Sequence, residues 1–62
     1  MADFLTEKEA AELLRLEPDT LKHWRFQKKG PTYYKLGGAI RYRESELMDF
    51  INSSRIEGGL GL

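Results

Sequence analysis

The stretch KHWRFQKKGPTYYKLGGAIRYR, residues 22–43, contains seven cations, five aromatic residues and three glycines, but no acid. The whole 62-residue chain has a formal net charge of zero. Charge is therefore segregated, with a net −4 on residues 1–19, +7 on residues 20–43 and −3 on residues 44–62. A basic segment of this length favours a surface that binds a polyanion, although a merely solvated basic face would have the same composition.

The size and composition of the chain exclude several classes of protein. A chain this short makes one small domain and buries only about 60% of its unfolded surface. It contains no cysteine and a single histidine, His23, so we expect no disulfide, metal or cofactor. There is no apolar run of the ~18 residues that a membrane span needs and no signal-peptide pattern. We therefore expect a cytoplasmic protein that does not contact a membrane.

An enzyme would need parts that the sequence does not contain. No glycine-rich phosphate loop opens a helix, and no nucleophile–base pair lies near His23. The acids Glu7, Glu9 and Glu12 fit the polar face of an amphipathic helix better than a catalytic carboxylate pair. We expect no enzymatic activity and no small-molecule substrate.

Two short helices are predicted in the first half of the chain, and the second of them extends into the basic stretch. A capping box formed by Thr6 and Glu9, followed by apolar residues at helical spacing, predicts a helix at about residues 7–15. In LEPDTLKHWRFQ, residues 16–27, Pro18 suits the first helical position and the apolar residues mark a buried face. The short connection between the two helices predicts a helix-turn-helix.

Residues 33–43 change to a period of two, which predicts a β-hairpin. A three-residue turn at residues 37–39 would put Lys35 opposite Arg41 on the solvent face. A two-residue turn at the glycines would instead put Lys35 opposite Ile40 and mix charged with apolar residues. We favour the three-residue turn because it collects the apolar side chains on one face, namely Tyr34, Leu36, Ile40 and Tyr42.

The last predicted element is a third helix, with Leu47, Phe50 and Ile51 on one stripe of ESELMDFINSSR. The order helix, helix, two-stranded hairpin, helix predicts a mostly helical α+β fold, a winged helix-turn-helix of residues 1–54. Residues 55–62, which include EGGLGL, are expected to form a flexible tail.

A winged helix-turn-helix would contact DNA through its second helix and its hairpin, the wing. Lys22 and His23 are the expected readers of base edges, whereas Arg25 and the lysines that follow it suit phosphates. Trp24 shares a face with Leu21 and is expected in the core, and Phe26 either contacts a thymine methyl or folds back onto Tyr33. The expected contacts are Thr20, Lys22, His23, Arg25, Gln27, Lys28 and Lys29 on the helix, and Lys35, Gly37, Gly38, Arg41 and Arg43 on the wing.

Three segments, LTEKEAAELL, TLKHW and KGPTYYKLGGAIRYRESEL, resemble the excisionase/AlpA-type group of small MerR-like winged helix-turn-helix DNA-binding domains over about residues 4–52. The resemblance implies that the second helix enters the major groove and that the wing contacts the backbone or the minor groove. It also implies contacts from Thr20, Lys22, His23 and Arg25, and from Lys35, Gly37, Gly38 and Arg41. Glu17 stands where the family usually has a small hydroxyl residue as helix cap, which implies a weaker start of the second helix. Ala39 stands where a basic residue is frequent at the wing tip, which argues against deep insertion of the wing into the minor groove.

The sequence thus predicts a sequence-specific protein for double-stranded DNA. The resemblance implies an excisionase, that is, a recombination directionality factor, or a regulator of a prophage or mobile element. An integrase or recombinase, and further copies of the chain along DNA, are the expected additional partners. The alternative is a protein-interaction module of the same fold that docks a recombinase, with DNA binding secondary.

Overall fold

The structure, a computed structural model, describes residues 3–58. Its elements in chain order are β1 (Phe4–Thr6), α1 (Glu7–Leu14), α2 (Pro18–Phe26), β2 (Tyr34–Leu36), β3 (Ala39–Arg43) and α3 (Glu44–Ser53). Two helices, a hairpin and a third helix follow one another as expected. The winged helix-turn-helix is therefore confirmed.

The predicted capping box begins α1. The Thr6 hydroxyl oxygen accepts from the Glu9 amide at 3.1 Å, and the Glu9 carboxylate accepts from the Thr6 amide at 2.9 Å. The helix ends at Leu14, one residue earlier than predicted, because Arg15 adopts a left-handed conformation with φ of 60°. This residue turns the chain towards α2.

The second helix begins at Pro18, and Glu17 supplies no side-chain cap. Leu21 is fully buried, while Trp24 is half-buried with its ring 5.8 Å from that of Phe50. The helix ends at Phe26, before the Gly30-Pro31 pair.

The first strand was not predicted from the sequence. It pairs antiparallel with β3, so the hairpin belongs to a three-stranded sheet of order β1-β3-β2. Three residues are too few to display a period of two. The predicted two-stranded hairpin is thus present as β2 and β3, and β1 adds a third strand to its sheet.

The predicted three-residue turn is also wrong. Gly37 and Gly38 form a two-residue turn, with Leu36 opposite Ala39, Lys35 opposite Ile40, and Tyr34 opposite Arg41. Gly37 has φ of 66° and Gly38 lies outside the left-handed region, the pattern of a type II′ hairpin turn.

This register is stable because apolar side chains pack on both faces of the sheet. Ile40 and Tyr42 face the core, whereas the Tyr34 ring on the other face lies 5.5 Å from the Phe4 ring. The hydroxyl of Tyr34 also donates to Glu46 of α3 at 3.1 Å. The predicted grouping of Tyr34 with Tyr42 is therefore incorrect.

The core lies between the helices and the inner face of the sheet. Its buried members are Ala10, Ala11, Leu21, Tyr42 and Leu47, and partly buried Leu5, Leu14, Trp24 and Ile40 pack against them. The expectation that Trp24 lies in the core agrees with this packing. In the predicted stripe of α3, Leu47 is buried and Phe50 half-buried, but Ile51 is exposed.

Beyond α3, residues 55–58 form no helix or strand. The rest of the predicted tail, residues 59–62, lies outside the described residues. Within residues 3–58, no helix has the length and apolar character needed to cross a membrane.

Candidate nucleic-acid interface

The outward side of α2 presents polar and basic side chains to solvent. Lys22 and His23 are exposed on it, Gln27 is exposed just beyond its end, and Thr20 in the first turn is half-buried. Phe26 is 71% exposed. An aromatic side chain this exposed leaves the outward face partly apolar as well as basic.

Phe26 does not fold back against Tyr33. The Tyr33 ring packs instead 6.1 Å from the Tyr42 ring, and the Arg25 guanidinium lies 5.8 Å from the Phe26 ring centre and 5.7 Å from that of Tyr33. The guanidinium thus lies close to both rings. Contact of Phe26 with a thymine methyl stays a prediction.

His23 has one ring nitrogen fixed by the helix itself. Its Nδ1 lies 3.0 Å from the carbonyl oxygen of Asp19. Because a carbonyl oxygen only accepts, Nδ1 carries the hydrogen, and Nε2 of a neutral ring is an acceptor. His23 can therefore meet a base-edge amino group without giving up its contact with the helix.

A three-residue network joins α1, α2 and β3. Arg25 donates through Nε to Oε2 of Glu7 at 2.7 Å and through Nη2 to Oε1 at 3.1 Å, and the Tyr42 hydroxyl donates to Glu7 Oε2 at 3.1 Å. The hydrogen bond from Arg25 lowers the pKa of Glu7 and raises the pKa of Arg25. Burial, reinforced by the nearby Glu7 carboxylate, raises the pKa of Tyr42.

Sequence reasoning missed this network. It assigned Glu7 to the polar face of the first helix, whereas the side chain is only 21% exposed and that of Arg25 only 16%. The two residues are 18 positions apart, and Glu7 and Tyr42 are 35 apart. No local spacing could have indicated the pairing.

The helix–wing groove, as we name it, separates the C-terminal half of α2 from the wing, the hairpin of β2 and β3. Its volume is about 340 Å³, and it is lined by Arg25, Phe26, Tyr33, Lys35, Gly38 and Ile40. A neighbouring groove is lined by Lys28, Lys29, Gly30, Pro31 and Tyr33. Because Tyr33 lines both, basic side chains from α2, the following loop and the wing are brought together here, with no acid in either lining.

The wing carries its predicted residues on two different faces. Lys35 is exposed on the same face as Ile40, and Arg41 lies on the opposite face with Tyr34. The expected pair of like charges at Lys35 and Arg41 is therefore wrong, because the two-residue turn shifts the register by one position. Side chains alternate along a strand, so a shift of one position moves each to the other face.

The two wing arginines already have partners within the chain. Arg41 donates to the carbonyl oxygen of Ile40 at 2.7 Å. Arg43 donates to Asp3 at 3.2 Å and lies 5.6 Å from the Phe4 ring centre. At the tip, Gly37 and Gly38 are open, with no atom within 4 Å of an added Cβ. The tip backbone can therefore be approached closely.

Four lysines of the basic stretch form no ion pair with any residue between positions 3 and 58. Within residues 3–58, the ion pairs of at most 4.0 Å involve Arg25, Arg43 and Arg55. The exposed lysines outside these pairs are Lys22, Lys28, Lys29 and Lys35. Over the same residues, no group of three or more His, Cys, Asp or Glu side chains could hold a metal ion.

A family model described as a helix-turn-helix domain matches residues 4–55, which is most of the chain and includes both α2 and the wing. A search of curated proteins finds no match.

Proposed function

Because this chain belongs to the family of small helix-turn-helix domains of the excisionase/AlpA type, we propose that it binds double-stranded DNA sequence-specifically as an excisionase or as a regulator of a phage or mobile element. A helix-turn-helix domain supports DNA binding in general, and the proposal adds sequence specificity and the biological role. In it, α2 lies in the major groove and the wing follows the backbone or the minor groove.

The observation that carries the proposal is the set of four lysines around α2 and the wing that have no ion-pair partner in the described part of the chain, namely Lys22, Lys28, Lys29 and Lys35. A lysine that pairs with a carboxylate must give up that partner to bind a phosphate, whereas an unpaired one exchanges only water and ions. Lys28 and Lys29 lie together in the loop after α2, and Lys35 borders the helix–wing groove. This charge needs no rearrangement before it meets a polyanion.

Base reading is assigned to the exposed side chains of α2. Lys22 can donate to guanine, and Nε2 of His23 can accept from an amino group at a base edge when Nδ1 carries the ring hydrogen. Gln27, just beyond the helix, offers an amide of the kind that pairs with adenine. Thr20, Lys28 and Lys29 are assigned to phosphates, which fix the register of the helix on the duplex.

The wing is assigned to the minor groove and its walls. Lys35 and Arg41 face opposite sides of the hairpin, and a hairpin inserted into a groove has a phosphate wall on each side. In this arrangement, Lys35 contacts one DNA strand and Arg41 the other. The small tip residues Gly37 and Gly38 allow the wing to enter the minor groove. Arg43 lies further from the tip and is paired with Asp3, so we assign it the weakest wing contact.

Partners follow from the small size of the module. A single domain of this kind buries on the order of 600–1,000 Å² against DNA. Useful specificity then comes from several copies along the duplex or from an integrase bound beside it. The proposal includes both, and assigns no reaction to the chain itself.

The first experiment measures how salt affects DNA binding. Fluorescence anisotropy with a labelled duplex, titrated at several salt concentrations, gives the slope of log K against log salt. Contact with about five phosphates predicts a slope of roughly −4 to −5. A flat salt response would contradict DNA binding by this surface.

Substitutions then separate the two kinds of contact. Lys35→Ala should weaken binding to all sequences and reduce the salt slope by about 1, whereas Lys22→Ala or His23→Ala should change the preferred sequence. The matched control is Lys8→Ala, which removes an exposed lysine from α1. If Lys8→Ala weakens binding as much as Lys35→Ala, the effect comes from net charge and the assignment fails.

A footprint separates the two biological roles. Protection of the recombination ends of a mobile element, together with stimulation of excision by its integrase, supports the excisionase. Protection confined to a promoter, with no effect on excision, supports the regulator. A module that binds the integrase but protects no DNA would favour the alternative of a protein-docking domain.

A further inference from the structure

The helix–wing groove is built to receive an anion. Two of its six lining residues, Arg25 and Lys35, are cationic, they come from different elements, and none of the six is acidic. Gly38 contributes backbone without a side chain at the tip side of the groove, with open space around it. A concave site that is lined by two cations and by accessible backbone fits a phosphate group.

Arg25 is held in this groove with part of its guanidinium unused by its partner. The contact with Glu7 is side-on and employs Nε and Nη2. A guanidinium has five N–H groups in a rigid plane, so the terminal edge, formed by Nη1 and the second Nη2 hydrogen, is not used by Glu7. A terminal edge of this kind matches two oxygens of one phosphate.

The orientation of Arg25 is set by contacts on several sides. Glu7 holds one edge, the Tyr42 hydroxyl holds Glu7, and the rings of Phe26 and Tyr33 lie within 6 Å of the guanidinium carbon. A free arginine side chain loses rotamer freedom when it binds a ligand. An arginine already fixed in this way loses less, so the contact is preorganised.

We infer that the helix–wing groove binds one backbone phosphate of DNA through Arg25 and Lys35, and that Glu7 is the positioning residue that aims Arg25 at it. The inference rests on the proposed function, because that function supplies the DNA strand running between α2 and the wing. It goes further by giving one phosphate a defined site and by giving an acidic residue a favourable part in binding a polyanion.

The test of Arg25 compares loss of charge with loss of shape. Arg25→Gln should weaken binding to mixed-sequence duplexes about tenfold and lower the salt slope by about 1, equally for all sequences. Arg25→Lys keeps the charge but has no planar fork. Its salt slope should therefore equal that of wild type, while most of the affinity lost in Arg25→Gln stays lost. Arg55→Gln removes an exposed arginine beyond α3 and should leave binding within about twofold of wild type.

The test of Glu7 depends on the sign of the effect. If Glu7 acted on DNA only through its charge, its removal would strengthen binding, because the protein would repel phosphates less. A positioning role predicts the reverse, so Glu7→Ala should weaken binding about threefold to tenfold. Glu12→Ala, which removes an exposed acid from the same helix, should leave binding unchanged or slightly tighter. Circular dichroism of each variant checks that it is folded; if Glu7→Ala unfolds, Glu7→Gln replaces it and should weaken binding in the same direction.

The outcomes separate this inference from the proposed function. If wild type shows no salt-dependent DNA binding, the proposed function fails and the phosphate site fails with it. If wild type binds but Arg25→Gln leaves affinity and salt slope unchanged, only the phosphate site is refuted. A variant at Arg25 that changes sequence preference would show a guanine contact and would also refute it. Tighter binding by Glu7→Ala would refute the positioning role alone.

Discussion

Gly30, in the loop that joins α2 to the wing, has no room for a side chain. Its φ is 90°, and an added Cβ would lie 2.7 Å from Cε3 and 3.0 Å from Cβ of Trp24. Neither atom can move easily, because the Trp24 ring packs against Phe50 and its Cβ is attached to α2. We therefore expect Gly30→Ala to be strongly destabilising.

The expected loss combines three effects. A left-handed backbone costs a residue other than glycine about 1–2 kcal/mol, and overpacking against a fixed ring costs about 1–3 kcal/mol. Alanine also lowers the conformational entropy of the unfolded chain, which offsets about 0.4–1 kcal/mol of this loss. The net loss is about 2–4 kcal/mol, against a total free energy of unfolding on the order of 3–9 kcal/mol for a domain of this size.

The assay is urea and thermal unfolding, followed by circular dichroism and by the fluorescence of Trp24, the only tryptophan. Gly30→Ala should lower Tm by about 10–25 °C. Gly37→Ala, at a φ of 66° in open space, contains the backbone strain without the clash and should cost about 1 kcal/mol. Gly38→Ala should be nearly neutral. If Gly30→Ala falls within about 0.5 kcal/mol of Gly37→Ala, Trp24 does not close this site and the reasoning is refuted.

Three further predictions concern the ends of α1 and its ion pair. Thr6→Ala removes the capping acceptor and should lower the free energy of unfolding by about 1 kcal/mol in urea titrations; no loss would mean that the cap adds nothing. Arg15→Gly relieves the left-handed strain at φ of 60° and should raise the urea midpoint by the equivalent of about 0.5 kcal/mol, and a lower midpoint would contradict the strain. The pKa of Glu7 is lowered in the folded state, so its stabilisation is present above the ordinary value of 4.5 and is lost as the pH falls through the folded pKa. Between neutral pH and pH ~3, wild type should therefore lose more Tm than Glu7→Gln, and equal losses would contradict this linkage.

The candidate site could be predicted only where a side chain's environment depends on its own helix. Lys22 and His23 are exposed as expected, because their neighbours on α2 decide which side is buried. Arg25 was expected as a phosphate contact, but its environment is set by Glu7 on another helix and by Tyr33 before the wing. The roles of these residues in DNA binding stay predictions, and the assays above test them.

The turn of the hairpin is a feature that the local sequence pattern could not predict. Two glycines followed by Ala39 are compatible with either turn length, and the apolar pattern favoured the longer one. The outcome depends on residues far from the turn, since β1 pairs with β3 and Tyr34 finds Phe4 and Glu46 on the outer face. A pattern that counts only core-facing apolar residues has no means of recognising this second apolar surface.

By itself, the sequence determined the three helices, the position of the hairpin and the basic middle of the chain. These features depend on contacts three or four residues apart, such as Thr6 with Glu9, and on the spacing of apolar residues, so they can be read along the chain. Only the tertiary structure decided the third strand, the hairpin register and the contact of Arg25 with Glu7. The pairing of β1 with β3 and the contact of Arg25 with Glu7 join residues 18 to 39 positions apart, so their partners become neighbours only when the elements pack together. The hairpin register pairs residues only three to seven positions apart, but it depends on the packing of Tyr34 against Phe4 and Glu46.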